Sequence, residues 1–189
     1  VATMMPAERV KLGSVGTAVP WGEVALSPDG EILIKGDFLF MGYLNQPEKT
    51  AETIDHSGWL HTGDGAWMDE DGFVYIVDRL KDMIVSGGFN IFPREVEDVL
   101  SQHADVAMVA VVGVPDDKWG EAVTAVVVAR EGAAPDADEL IGLVKAKKGS
   151  AHAPKQIQFV KELPMTGVGK VDKKVLRAGF WSGRDRMVG

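Results

Sequence analysis

The chain contains no cysteine, which excludes disulfides, thiolate nucleophiles and cysteine-held zinc. Its four histidines, His56, His61, His103 and His152, lack the spacing of metal ligands. No apolar run reaches the length that a bilayer span requires. The opening residues, Val1 to Pro6, have neither the basic nor the apolar stretch of a secretory leader, and the expectation is a cytoplasmic protein. Basic residues are outnumbered 20 to 28, giving a formal charge of −8. That balance argues against a nucleic-acid partner, because binding a phosphate backbone needs a basic face. What remains is ordinary globular material: 46% hydrophobic and 25% charged residues over 189 positions, enough for one domain or two small ones.

The first third reads as strands and turns. Val24–Ser27 and Glu31–Lys35 flank Pro28-Asp29-Gly30, a hairpin signal. Gln46 to Ile54 reads as a short helix with Pro47 in its first turn. Trp59–His61, Ala66–Met68 and Phe73–Val77 read as further strands, the last two joined by a turn at Asp69-Glu70-Asp71-Gly72. A small antiparallel sheet, closing as a barrel, is expected. After Arg79 the pattern changes. Phe92 to Leu100 places Val96, Val99 and Leu100 on one helical face. Val106–Val112 and Ala122–Val128 are apolar β-branched runs suited to buried strands, separated by a polar loop from Pro115 to Glu121. Asp136 to Lys148 has acids first, lysines last and Gly149 beyond, as a helix prefers. Asp172 caps a last helix reaching Arg177. The expected organisation is α+β: a β-rich piece over residues 1–78, then a compact α+β domain over 79–189.

Several residues stand where chemistry could be done. Asp64, after Thr62-Gly63, ends a strand in a tight turn; it could accept hydrogen bonds from two vicinal hydroxyls, as ribose carriers do, or merely stabilise the turn. Arg79 offers a planar fork and Lys81 a compact charge, and strand alternation would set them on one side. They could equally be an exposed edge paired with Asp78 and Asp82. Ser86-Gly87-Gly88 permits a close backbone approach. Trp119, in a polar loop, could stack on a ligand or simply pack. Lys170 follows a glycine-flanked turn, from which a mobile cation could meet charge developing in a transition state, or could serve as a surface lysine ahead of Lys173 and Lys174. Val171 after it rules out a Walker phosphate loop.

In order, the chain shows Gly42-Tyr43-Leu44-Asn45-Gln46-Pro47, Gly58-Trp59-Leu60-His61-Thr62-Gly63-Asp64, Asp71-Gly72-Phe73 and Asp78-Arg79-Leu80-Lys81-Asp82. Ser86-Gly87-Gly88, Pro93 with Glu95-Val96-Glu97, Pro115-Asp116 with Trp119-Gly120-Glu121, and Leu163-Pro164 to Lys170 follow. From about Gly13 to Arg177 this set resembles the AMP-forming acyl-CoA synthetases, relatives of luciferases and of peptide-synthetase adenylation domains. The resemblance implies a fold in which the β-rich piece ends a large N-terminal lobe and the α+β domain is the mobile C-terminal one. It implies a reaction with ATP, a carboxylic (fatty or related) acid and coenzyme A as substrates, with magnesium held in the N-terminal lobe. By the same resemblance Asp64 binds the ribose hydroxyls, Arg79 meets the ribose-phosphate region, and Lys81 is the hinge residue, in a hinge at 79–82. Lys170 is the adenylation lysine; Ser86, Gly87, Gly88 and Trp119 line the coenzyme A tunnel. The family's phosphate loop, adenine pocket and acyl tunnel lie outside these residues. The isolated chain is accordingly expected to be inactive, and a stand-alone binding or interaction module, or an enzyme loading a carrier protein, are the alternatives.

Overall fold

The computed structural model describes residues 2–181, so residues 182–189, which the sequence reading assigned to the second domain, lie outside the described residues. The chain divides into two compact units, Val1–Leu80 and Lys81–Gly189. The division falls two residues after the expected boundary, because the last strand of the first unit runs on to Arg79.

In the first unit, β1 (Thr3–Met4) and β2 (Thr17–Ala18) pair antiparallel. They are followed by β3 (Glu23–Leu26), β4 (Glu31–Lys35), helix α1 (Pro47–Thr53), β5 (Leu60–Met68) and β6 (Val74–Arg79). The sheet is an open antiparallel meander in the order β3-β4-β5-β6, and the barrel closure is not formed: its two outer strands do not pair with each other. The turns are as expected. Gly30 and Gly72 adopt positive φ, 81° and 82°, and close i to i+3 hydrogen bonds to Ser27 and Asp69, a geometry glycine reaches without strain. Asp69 also takes Lys11 Nζ at 2.6 Å, and this bond, ahead of its other interactions, holds its carboxyl below the ordinary aspartate range. The core here is thin. Only Ile32, Ala66 and Val74 form its buried cluster, while Trp21, Met41 and Leu44 are mostly exposed.

The second unit opens with a 3-10 turn ending at Asp82. It continues through β7 (Ile84–Ser86), β8 (Phe89–Ile91), α2 (Pro93–Leu100), β9 (Val106–Asp116), β10 (Gly120–Ala129), α3 (Ala137–Lys148), β11 (Gln156–Phe159) and α4 (Lys173–Ala178). β10 is central, paired with β9 along its length, with β11 in parallel and with β7 at Gly120. Val123, Ala125 and Val127 alternate toward α2 and α3, joining Val96, Leu100, Leu140 and Val144 in a large buried cluster. Val126 faces the other way, with Ala110 and Leu163, against Leu176 of α4. Because both faces are covered, β10 reads as a continuous apolar run. Each fully buried aliphatic side chain contributes about 1.5–3 kcal/mol, so this unit rests on a far larger core than the first. The helix ends follow their sequence signals: Asp136 accepts from the Glu139 amide, and Asp172 from Lys174 and Val175, bonds worth about 1 kcal/mol each.

Candidate functional site

Asp64 is carried by an irregular stretch of β5. Leu33 of β4 lies opposite His61, and Glu31 opposite Gly65, so Thr62, Gly63 and Asp64 together face the single residue Ile32. This bulge is why one strand looked like two in the sequence. Extra residues in a bulge lose their ladder partners and must find others. Gly63 takes φ 71°, the Asp64 amide donates to Thr62 Oγ1 at 3.1 Å, and Thr62 Oγ1 donates to the Ile32 carbonyl at 2.8 Å. On the other side of β5, Asp64 is in register with Arg79, and Arg79 Nε meets Asp64 Oδ1 at 2.7 Å. Arg79 remains mostly solvent-accessible, so the pair is an adjustable one rather than a buried lock. Lys81 is not on the same strand face. β6 ends at Arg79 and the chain turns into the 3-10 segment, so the alternation argument fails there. The Lys81 carbonyl instead accepts from Arg177 Nη1 at 3.3 Å, and Asp82 pairs with Arg177 Nη2 at 2.9 Å.

A second constellation lies within the second unit. Ser86 and Phe89 face each other across Gly87-Gly88, and both glycines have positive φ, 58° and 83°. That is the two-residue hairpin turn that demands left-handed conformers at both positions. The glycine pair therefore has a structural cause independent of any ligand. Ser86 points inward, 3% exposed, and its hydroxyl has no hydrogen-bond partner among the described residues. What this turn presents to solvent is the backbone of Gly87 and Gly88. The expected association with Trp119 is direct: the Gly87 amide donates to the Trp119 carbonyl at 2.8 Å, and a β-carbon on Gly87 would lie 2.7 Å from Trp119 Cε3. Trp119 sits in a three-residue turn from Asp117, its amide bonded to Asp116 Oδ1 at 2.9 Å. Lys118 and Lys155 place their ammonium groups 4.9 and 5.1 Å from its ring centroid. Burial lowers the Lys155 pKa from its ordinary value. Glu121, buried at 2%, accepts from the Val85 amide at 2.8 Å and so braces β7 from beneath the turn.

Lys170 stands on a small hairpin. Met165 bridges Val171, the Thr166 amide donates to the Lys170 carbonyl at 2.7 Å, and Gly169 closes the turn onto Thr166 at 2.9 Å with φ 78°. This is a three-residue loop with glycine in the left-handed position. Lys170 is exposed, and its ammonium makes no ion pair or hydrogen bond among the described residues. The structure thus joins Asp64 to Arg79 and Gly87 to Trp119, and leaves Lys170 projecting alone. Lys155, Glu121 and Arg177 were not singled out from sequence. Each gains its place through contacts more than thirty residues away.

The family described as AMP-binding enzyme C-terminal domain matches residues 95–170. A medium/long-chain-fatty-acid–CoA ligase of Mycobacterium tuberculosis is 56% identical over 92% of this chain and 31% of its own length. Among solved structures, the amide bond synthetase McbA of Marinactinospora thermotolerans is 41% identical, with a TM-score of 0.77 over 89% of this chain and 37% of that one. ATP-bound MatB of Rhodopseudomonas palustris is 36% identical, with a TM-score of 0.78 over 89% and 36%. The chain spans 31–33% of the length of the first curated relatives it matches. The order of its motifs, its fold and these likenesses agree: residues 95–170 belong to the AMP-binding enzyme C-terminal domain family, within a chain similar to part of the acyl-CoA ligases and their adenylate-forming relatives.

Proposed function

We propose that these residues serve an acyl-CoA ligase, which joins a carboxylic acid, fatty or related, to ATP as acyl-AMP with loss of pyrophosphate, then passes the acyl group to coenzyme A. The observation that carries this reading is that one chain holds both an exposed, unengaged Lys170 on a glycine-turned hairpin in its second unit and a pre-built Asp64–Arg79 pair in its first. Asp64 would accept from the ribose hydroxyls, with Arg79 releasing it to meet the ribose-phosphate side. Lys170 would offset the negative charge that builds as the acid oxygen attacks the α-phosphate, a contribution of several kcal/mol in a water-poor site. The Gly87-Gly88 turn and Trp119 would form the wall along which the acceptor's pantetheine arm enters. Lys81, first residue of the second unit, would be the pivot between the half-reactions, separating residues 1–78 with their strand extension from 79–189. The exposed Trp21, Met41 and Leu44 support packing of the first unit against a larger lobe that would supply the adenine and acyl pockets. Among the described residues no group of three or more His, Cys, Asp or Glu could hold a metal ion. The magnesium implied for such a ligase would be held in the larger lobe together with the ATP phosphates. No helix among the described residues is long and apolar enough to cross a membrane, and ATP and coenzyme A as substrates favour a cytoplasmic setting.

The likeness to an amide bond synthetase supports one second reading, in which an amine replaces coenzyme A as acceptor. The deciding experiment separates the half-reactions in the complete ligase. Lys170→Ala should slow acid-dependent pyrophosphate exchange by about 100- to 1,000-fold while sparing thioester formation from supplied acyl-AMP. Equal loss of both steps would contradict the role given to Lys170. Product formation with an amine but none with coenzyme A would favour the second reading. The 189-residue chain alone should show no exchange above its Lys170→Ala control.

A further inference from the structure

The bulge that carries Asp64 is held by a carboxylate from the neighbouring strand. Glu31, the first residue of β4, accepts from the Gly63 amide through Oε1 at 2.8 Å. Through Oε2 it meets His61 Nδ1, also at 2.8 Å. Its side chain is only 14% exposed. A carboxylate has no proton to give, so the imidazole donates from Nδ1. The other ring nitrogen lies 3.8 Å from Asp55. One side chain thus grips β5 at His61, just before the bulge, and at Gly63, in its middle and immediately before Asp64. Without Glu31 the Gly63 amide, displaced from the ladder, has no partner among the described residues, and the bulge could relax toward regular pairing. Regular pairing shifts side chains between sheet faces, which would turn Asp64 away from the side it now presents.

We propose that Glu31 is the positioning residue for Asp64: it fixes the Thr62–Asp64 bulge so that the carboxylate faces the ribose diol of the nucleotide. This rests on the ribose role proposed for Asp64. Glu31 itself touches no substrate, and its loss acts through geometry. The ribose lies away from the bonds that break, so the defect should appear as uniform binding loss: a higher KM for ATP with kcat little changed.

The test has two arms. In the 189-residue chain, proton–nitrogen NMR follows the Gly63 amide. Glu31→Ala should abolish its protection from hydrogen exchange, while Glu31→Gln, which keeps an acceptor oxygen, should preserve it. In the complete ligase, Glu31→Ala should raise KM for ATP about tenfold with kcat within about twofold, and Glu31→Gln should stay within about threefold in KM. Glu31→Asp keeps the charge but falls one methylene short, and should behave as Ala does; it carries the test if the Ala variant does not fold. An Asp variant matching the wild type would show that charge alone suffices and would overturn the proposal. So would a Gln variant as impaired as Ala, or an Ala variant with unaltered KM. Absence of any ATP-dependent acid activation in the wild-type ligase would instead sink the ligase reading, and leaves the NMR arm to judge Glu31 separately.

Discussion

The turns that carry Asp64 and Lys170 are built on opposite plans. Both hinge on a glycine at positive φ, Gly63 at 71° and Gly169 at 78°, with open space where a β-carbon would go. Yet the first is over-determined. Thr62, Ile32 and Glu31 each close a bond onto it, and Ala66 in the same strand is part of the unit's buried cluster. The Lys170 hairpin is held by its own backbone, the Thr166 hydroxyl and one bridge, and Gly167, Val168, Gly169 and Lys170 are all exposed. On the proposed roles, Asp64 would recognise a fixed shape from a frame braced on several sides, and Lys170 would arrive for one step and leave for the next on a frame that costs little to move. The Gly87-Gly88 turn is a third case, rigid because a neighbouring ring is pressed against it.

The largest effect expected from breaking these frames is at that third turn. Gly87→Ala adds a β-carbon 2.7 Å from Trp119 Cε3 and keeps φ at 58°. Left-handed strain of about 1–2 kcal/mol and overpacking of about 1–3 kcal/mol combine to a loss of about 2–5 kcal/mol. Gly88→Ala meets nothing within 4 Å and suffers the strain alone. Native-state hydrogen exchange at Val126, deep in the second unit, measures both. Equal losses would mean that Trp119 yields freely and is no fixed wall.

Much of this architecture is legible in the sequence because its signals are local. Asp136, Gly149 and Asp172 mark helix ends through bonds to residues a few positions away, Pro93 marks one through its fixed φ in the first turn, and the alternating faces of β10 follow from an apolar run. The missed strands are short or lack a pattern. β7 and β8 have three residues each, and β11, Gln156–Phe159, is a largely exposed parallel edge whose pairing depends on a strand some thirty residues earlier. The Thr62-Gly63-Asp64 bulge mimics a strand end because a glycine flanked by polar residues ordinarily is one. Glu31 is illegible for the same physical reason that makes it useful: its partners His61 and Gly63 lie 30 and 32 residues away, and a glutamate opening a strand looks like a solvated edge. Ser86-Gly87-Gly88 is legible as a glycine pair that permits a close approach, which the Trp119 ring makes at Gly87; that the pair also closes a hairpin turn is hidden in strands of three residues each.

The bulge and the Lys170 hairpin can then be set against each other directly. Gly63→Ala imposes left-handed strain on a turn that cannot unravel without releasing Glu31 and disturbing the strand that buries Ala66. Its loss should be about 1–2 kcal/mol, read from exchange at Val74 in the same unit.

Gly169→Ala imposes nearly the same local strain, because its φ and its free surroundings match those of Gly63. The exposed loop from Gly167 to Gly169, however, can open while Val171, at the base of the hairpin, stays packed on the layer of Leu163 and Leu176. A strain that can be shed by local opening is capped by the small free energy of that opening. The global loss at Val126 should therefore stay below about 0.5 kcal/mol, while the Thr166 and Lys170 amides exchange faster. If Gly169→Ala costs as much as Gly63→Ala, the hairpin is coupled to the core of its unit. Lys170 would then move only with the whole unit, and the arrival and departure proposed for it would have to come from the proposed pivot at Lys81 alone.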